Sequence, residues 1–454
     1  MLWASNRVVF EGPSGRYDIE PGWVRAEGRT IAACGRGPAP PGAQHFGDKL
    51  LTPAFVDPHT HLALVALRGF DPSACEGNVV EDLFYRFESQ LSPSDVAAFA
   101  RVGAYEALLN GIGMVWDHYF HAESLAAAIA DVGLSAVIAP TVQDLSGPGV
   151  ETLEQAYEAS VSLNTDAWRE RNIYSCVGPH ATDTVSAEHW ARVTQLARTE
   201  NLPLHAHLAQ SPEEVARCLD RHGCTPLRWL DSLGVLQPDV RSVFAHAIFV
   251  TRNELALLGE SQTLVACPHA QLLFGLPARF DVWSEEKVRW TLATDASASN
   301  DSVNLLKELR FAAGWRTAGA SWSAEYESFL DEKSSAAAVW KHRQEQAKQV
   351  PVDGLLDKVW GMAGSLHPQF RAGVIEPGGL ANLLVWDTDH PGLWPADNPL
   401  HALVYGDAAG AIHAMAVGGQ TVGVVGDFAR SLTQSEGYRE AQKEARARLR
   451  ALAF

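Results

Sequence analysis

The chain has 454 residues, 46% hydrophobic and 20% charged, which excludes disorder as its main state and exceeds the needs of one small core. Its formal net charge of −18 argues against nucleic acid or an anionic membrane as partner, because both are held by clustered Lys and Arg.

The N-terminal stretch MLWASNRVVFEG has no basic segment followed by an apolar run, so no export signal is expected. No later stretch is long and apolar enough to span a bilayer, and a cytoplasmic location follows as the expectation. NRVVFEG, GWVRAEG and TIAACGRG read as short strands, with β-branched residues inside them and Gly at their ends. A similar region returns late, at ANLLVWDTD and AIHAMAVGGQTVGVVG, so the two ends are expected to meet in one small β-sandwich. Between them eight short apolar runs alternate with helical stretches. They are LTPAFVDPHTHL, MVWDHY, SAVIAPTV, IYSCVGPH, LPLHAHLA, SVFAHAIF, TLVACPH and RWTLATDAS. Eight strand–helix alternations predict a (β/α)8 TIM barrel. The expected divisions are 1–52 for the first part of the sandwich, 53–365 for the barrel, and 366–454 for the second part with a terminal helix. That helix, EGYREAQKEARARLRALAF, reads as a packing element. Cys34, Cys75, Cys176, Cys218, Cys224 and Cys267 are scattered without a CxxC pair, so reduced thiols are expected rather than a disulfide framework.

Chemistry-bearing residues gather at the C-terminal ends of the predicted strands, the rim where such barrels carry out their reactions. In Asp57-Pro58-His59-Thr60-His61, residues two apart on a strand share a face, so both imidazoles can meet one ion. His205-Ala206-His207 repeats the pattern on another strand. His180, His246 and Asp295 end three further runs. One such histidine is more often a satisfied core residue; five strand ends that each carry one or two of these groups point to a site. Neutral imidazole nitrogen and carboxylate oxygen suit zinc, with one position left open for water.

These motifs resemble the amidohydrolase superfamily, in the branch of triazine hydrolases and of cytosine, guanine and adenosine-type deaminases. LLTPAFVDPHTHL, LPLHAHLAQSPEEV, VFAHAIFVTRNELALL, VACPHAQLLFG, LATDASASNDSVNLLKELR and GVIEPGGLANLLVWD carry the resemblance almost end to end. It implies His59, His61, His207 and Asp295 as ligands of one divalent metal, zinc first, with iron, manganese or cobalt as alternatives. It implies His246 and Asp295 as catalytic groups, and His180 as a substrate contact. Trp116, His118 and His269 are further candidates for the pocket wall. No lysine ends the fourth run, where two-metal relatives carry a bridging one, so a mononuclear site is implied. A small-molecule substrate and a homodimer or higher homo-oligomer are implied as well.

The chain departs from the branch at Gln210, where a glutamate usually follows the strand-five histidine by three. An amide donates and accepts hydrogen bonds but does not exchange a proton usefully at neutral pH. Gln210 is therefore expected to orient the substrate, with Asp295 and His246, or Glu213 or Glu214, handling protons. The implied reaction is attack of metal-bound hydroxide on an sp2 carbon of a nitrogen heterocycle or cyclic amide, with deamination first. Dechlorination and cleavage of a carbamate, thioester or cyclic C–N bond are the alternatives. A catalytically impaired binding protein, or a Cys267 nucleophile with His269 as base, are the rival readings.

Overall fold

The computed structural model describes residues 1–12, 15–71, 77–318, 324–346 and 351–452. Cys75 lies outside them.

All eight apolar runs contain strands. They are β1 (Phe55–His61), β2 (Ile112–Tyr119), β3 (Ser135–Val142), β4 (Ile173–Ser175 and Gly178–Pro179), β5 (Leu204–Leu208), β6 (Ser242–His246), β7 (Gln262–Ala266) and β8 (Trp290–Leu292 and Asp295–Ala296). β2 and β3 are buried at every residue, which is why they read as continuous apolar runs and not as alternating ones. The parallel pairs run β4–β3–β2–β1–β8 and β5–β6–β7–β8, and a parallel bridge between Val177 and Leu204 links the β4 side to β5. This is a TIM-barrel-type α/β arrangement.

The intervening helices start where their caps dictate. Ser92 opens the helix Pro93–Leu109 with a capping box: its Oγ accepts from the Asp95 N–H, and Asp95 accepts from the Ser92 N–H at 2.9 Å. The terminal helix Glu436–Ala451 packs on this one. Arg448 donates to Asp95 at 3.0 Å, Arg101 pairs with Glu444 at 3.3 Å, and the Tyr105 and Tyr438 rings meet edge to face.

The chain ends share one sheet. Leu2–Glu11 pairs with Leu50–Pro53, and that strand pairs with Leu383–Trp386. Ile412–Val417 then turns into Gln420–Val422 through Gly418 and Gly419, whose φ of 54° and 72° match the two-residue turn that hairpin twist favours. Asn382 ties this sheet to the barrel-type unit. Its amide donates to the Gly113 carbonyl and to Ser135, and accepts from the Gly418 N–H. No helix among the described residues is long and apolar enough to cross a membrane.

Candidate metal centre

His59 and His61 leave the end of β1 on one face, and both direct Nε2 toward Asp295 at the end of β8. Each Nε2 lies 3.5 Å from Asp295 Oδ1. His207 joins from β5, its Nε2 3.3 Å from that of His61. Two donors on one zinc, each about 2.0–2.1 Å from it in tetrahedral array, stand roughly 3.4 Å apart, so these spacings match a shared ion.

The hydrogen bonds behind the rings fix which nitrogens are free. His61 Nδ1 donates to the His118 carbonyl at 2.7 Å, and His207 Nδ1 donates to the His180 carbonyl at 3.1 Å. Each neutral ring then presents a bare lone pair at Nε2. Two lone pairs facing each other repel unless a cation lies between them. His59 Nε2 is fully buried without a hydrogen-bond partner, which costs free energy unless an ion satisfies it. Burial first, and then the neighbouring imidazoles, push His59 and His207 well below the ordinary histidine range. Burial also lowers His61, against the opposing Asp295 charge. All three are thus neutral at pH 7, the form that binds metal. The donor set fits a single divalent ion.

Asp295 is held for this task. Ser299 donates to its Oδ2 at 3.1 Å, and Thr60 donates to its carbonyl at 3.0 Å. Asp57, wholly buried, accepts from both the Thr294 N–H and the Thr294 hydroxyl, clamping the end of β8 to β1. Ala209, His246, Ala247 and Asp295 all take positive φ, of 45°, 74°, 44° and 61°. Left-handed backbone at non-glycine residues costs about 1–3 kcal/mol each, and here it clusters at the strand ends around the donors.

The two HxH pairs differ in depth. His59 and His61 both reach Asp295, whereas His205 sits one layer below His207. Residues two apart on a strand are separated by about 6.6 Å along it. His205 therefore stands behind His59, its Nε2 2.9 Å from His59 Nδ1. With His59 as the donor, this bond selects the tautomer that leaves Nε2 bare. Such supporting bonds are typically worth about 10–100-fold in metal affinity, so His205→Ala is expected to weaken metal binding by that factor while the fold persists. Metal titration beside circular dichroism checks it; unchanged affinity would remove His205 from the support of the site.

A cavity of about 490 Å³ opens over this centre. His61, His180, His207, Gln210, His246 and Asp295 line it, together with the helical stretch Val80–Phe84 and Tyr85–Glu88. His180 has its Nδ1 2.9 Å from the Thr184 hydroxyl, and burial pushes its pKa down to about 3. Gln210 keeps its place at the wall because Glu214 accepts from its N–H at 2.8 Å. Glu214 also accepts from Thr182 and is buried under the loop rather than lining the cavity; Glu213 is exposed at the mouth.

Three expected wall residues lie elsewhere. Trp116 is fully buried in the interior cluster with Val56, Met114 and Val137. His118 is 2% exposed behind the ligand rings, with Nδ1 3.0 Å from Thr141 Oγ1. His269 is captured by the buried Glu308, Nδ1 to Oε1 at 2.9 Å. Burial pushes the Cys267 thiol well up, so it is no thiolate nucleophile. Glu88, which the sequence reading passed over, lines the cavity, and burial pushes its carboxyl up to about 8.

An α/β barrel-type fold with histidines and an aspartate converging at its strand ends defines a metal-hydrolase architecture. Residues 50–325 match the amidohydrolase family, and the chain belongs to it. A 5-methylthioadenosine/S-adenosylhomocysteine deaminase from Nitratidesulfovibrio vulgaris is 28% identical over 434 residues, covering 93% of this chain and 92% of the relative. Among solved structures, a zinc-bound adenosine deaminase from Xanthomonas campestris aligns over 99% of this chain and 98% of its own, with a TM-score of 0.79 and 22% identity. A zinc-complexed atrazine chlorohydrolase from Arthrobacter aurescens aligns over 99% of both chains, with a TM-score of 0.79 and 19% identity.

Proposed function

We propose that this chain is a mononuclear, zinc-dependent aminohydrolase that removes an exocyclic amine from a nitrogen heterocycle. The observation that carries this reading is the bare, inward-facing Nε2 atoms of His59, His61 and His207 around Asp295. His59, His61, His207 and Asp295 would hold a divalent ion, which would supply acidification of water toward neutral pH.

The residues then divide the work. Asp295 accepts a proton from the water as its oxygen bonds to the ring carbon, and passes that proton to the amine as the C–N bond breaks. The second water proton ends on the ring nitrogen, so water and an amino-heterocycle yield a ring carbonyl and ammonia. His246 lines the cavity beside His207, the two rings stacked with centroids 5.5 Å apart, and donates to the oxygen as charge develops there. Gln210 and His180 hold the ring by hydrogen bonds.

Glu81, Glu88, Asp183, Glu213 and Asp295 line the cavity, and among the described residues no Lys or Arg does. Arg217 neutralises Glu81 and Asp183 at the rim. An uncharged or cationic ring is favoured there over an anionic one.

Glu88 carries a proton at neutral pH and donates it in a hydrogen bond to the substrate. That donor is present below its pKa of about 8 and is lost as pH rises through it. Turnover is therefore expected to fall on the alkaline side near pH 8. Glu88→Gln, whose amide donates at any pH, flattens that limb; an identical alkaline profile in the variant removes Glu88 from substrate binding.

Gln210 also supports a second reading. Without a titrating group at this wall position, a bond with a better leaving group is attacked instead: chloride, carbamate, thioester or a cyclic C–N bond. Release of chloride from a chlorotriazine, with no ammonia from any aminopurine, favours it. Tight aminopurine binding with no turnover by the metal-loaded protein favours an impaired binding protein.

Architecture, assembly and location complete the reading. The parallel circuit is read as a closed (β/α)8 barrel over 53–365, inserted in a β-sandwich formed by 1–52 and 366–454. The pairing of Leu50–Pro53 with Leu383–Trp386 supports that division. A homodimer or higher homo-oligomer is the assembly that the family resemblance suggests, and light scattering coupled to gel filtration tests it; the cytoplasm is the proposed location.

A further inference from the structure

A second cavity, of about 480 Å³, lies at the other end of the strands. Arg241 and Ser242 stand at the start of β6, Thr263 at the start of β7, and Arg289 directly before β8; all four line it, with Ser365, His367 and Arg371. His246 and Asp295, at the far ends of β6 and β8, line the first cavity. At about 3.3 Å per residue the two cavities are separated by roughly 13–20 Å of strand.

Its charge is unusual for this chain. The surface arginines of an acidic protein find carboxylates readily: Arg36 pairs with Asp18 and Glu20, Arg192 with Glu154, and Arg198 with Asp239. Arg241 and Arg289 have no such partner among the described residues. Their side-chain bonds go to uncharged groups instead: Arg241 Nη1 donates to the Ser365 carbonyl at 3.3 Å, Arg289 Nη2 donates to the Ser365 hydroxyl at 3.2 Å, and Arg289 Nε donates to Thr263 Oγ1 at 3.4 Å. Arg371 adds a third guanidinium, partly offset by Glu376 at 3.5 Å. The carboxylate among the lining residues, Glu260, is exposed. Burial first, and then the charge of Arg241, weaken the hold of Arg289 on its proton; Glu260 and Asp357 oppose this and Arg371 adds to it. Planar guanidinium forks are the donors that a tetrahedral oxyanion takes.

We propose that this second cavity is a binding site for a phosphate-class oxyanion, separate from the centre at the opposite strand ends. Arg241 and Arg289 supply the charge, and Arg371 closes one side. Holding Ser365 and Thr263 accounts for three bonds from two arginines; it does not account for three guanidinium groups around open volume.

The test is calorimetric titration of the metal-loaded protein with inorganic phosphate at constant ionic strength, with chloride as the control anion. One phosphate per chain is expected, with no heat from chloride. Arg241→Gln, at an exposed side chain, is expected to weaken phosphate by about tenfold or more and to leave the circular dichroism spectrum unchanged. The double variant with Arg289→Gln loses binding. Asp295→Asn, which disables the other cavity, retains it. Absence of phosphate binding overturns the proposal. So does binding that survives the arginine variants and disappears in Asp295→Asn, because the anion then sits at the metal. Both results leave the aminohydrolase reading untouched.

Discussion

Asp295→Asn is expected to lower kcat/KM by about 10³-fold or more and to strip metal from the purified protein. The carboxylate has two duties that an amide cannot perform. Its Oδ1 lies 3.5 Å from the Nε2 atoms of His59 and His61, where an anion is needed to balance a divalent ion among neutral imidazoles. In the proposed reaction it also accepts a proton from water, a function worth about 10²–10⁴-fold by itself. Loss of the negative charge and loss of the base act together, so the effect exceeds either one. Shape is nearly conserved, and the Ser299 hydroxyl at 3.1 Å can still donate to the amide oxygen, so the fold is retained. Steady-state rates, metal analysis and circular dichroism on one preparation separate these contributions. A variant within tenfold of the parent chain, with its metal intact, contradicts the assignment.

Gln210→Glu is expected to raise turnover of a 6-aminopurine nucleoside by about 100-fold, the lower end of what a positioned general acid–base contributes. The position is built to receive the change. Gln210 lines the cavity, and its backbone is fixed by the 2.8 Å bond to buried Glu214. Glu213 and Asp295 line the same cavity. Like charges nearby raise a carboxyl pKa, which moves the new group toward the range where it both takes and gives a proton. The measurement is ammonia release by parent and variant across pH. A gain identifies a deaminase working without its usual shuttle. A metal-loaded variant with no gain shifts the reaction to a bond that needs less acid assistance.

What could be read from the chain, and what could not, follows from what neighbouring residues encode. Strands buried on both faces leave continuous apolar runs, so SAVIAPTV coincides with β3 residue for residue. Residues at the ends of such runs share one rim, which is why His59, His61, His207 and Asp295 come together as expected. Depth along a strand is not encoded by alternation. His205 and His207 share a face, yet one supports His59 from below and the other enters the centre. Trp116 and His118 show the same ambiguity, since a strand-end ring can point into the interior as easily as into the pocket. His269 was illegible for another reason: its partner, Glu308, is 39 residues away in sequence. Glu88 carries no local motif, and its raised pKa comes from burial that only the folded wall around the cavity provides.

The most direct test of the central claim is the metal content of the native protein measured alongside its turnover. The account predicts one divalent ion per chain, loss of that ion and of ammonia release together on chelation, and recovery of both when zinc is returned. Ammonia release that persists in fully metal-free protein, or two ions per chain, contradicts it.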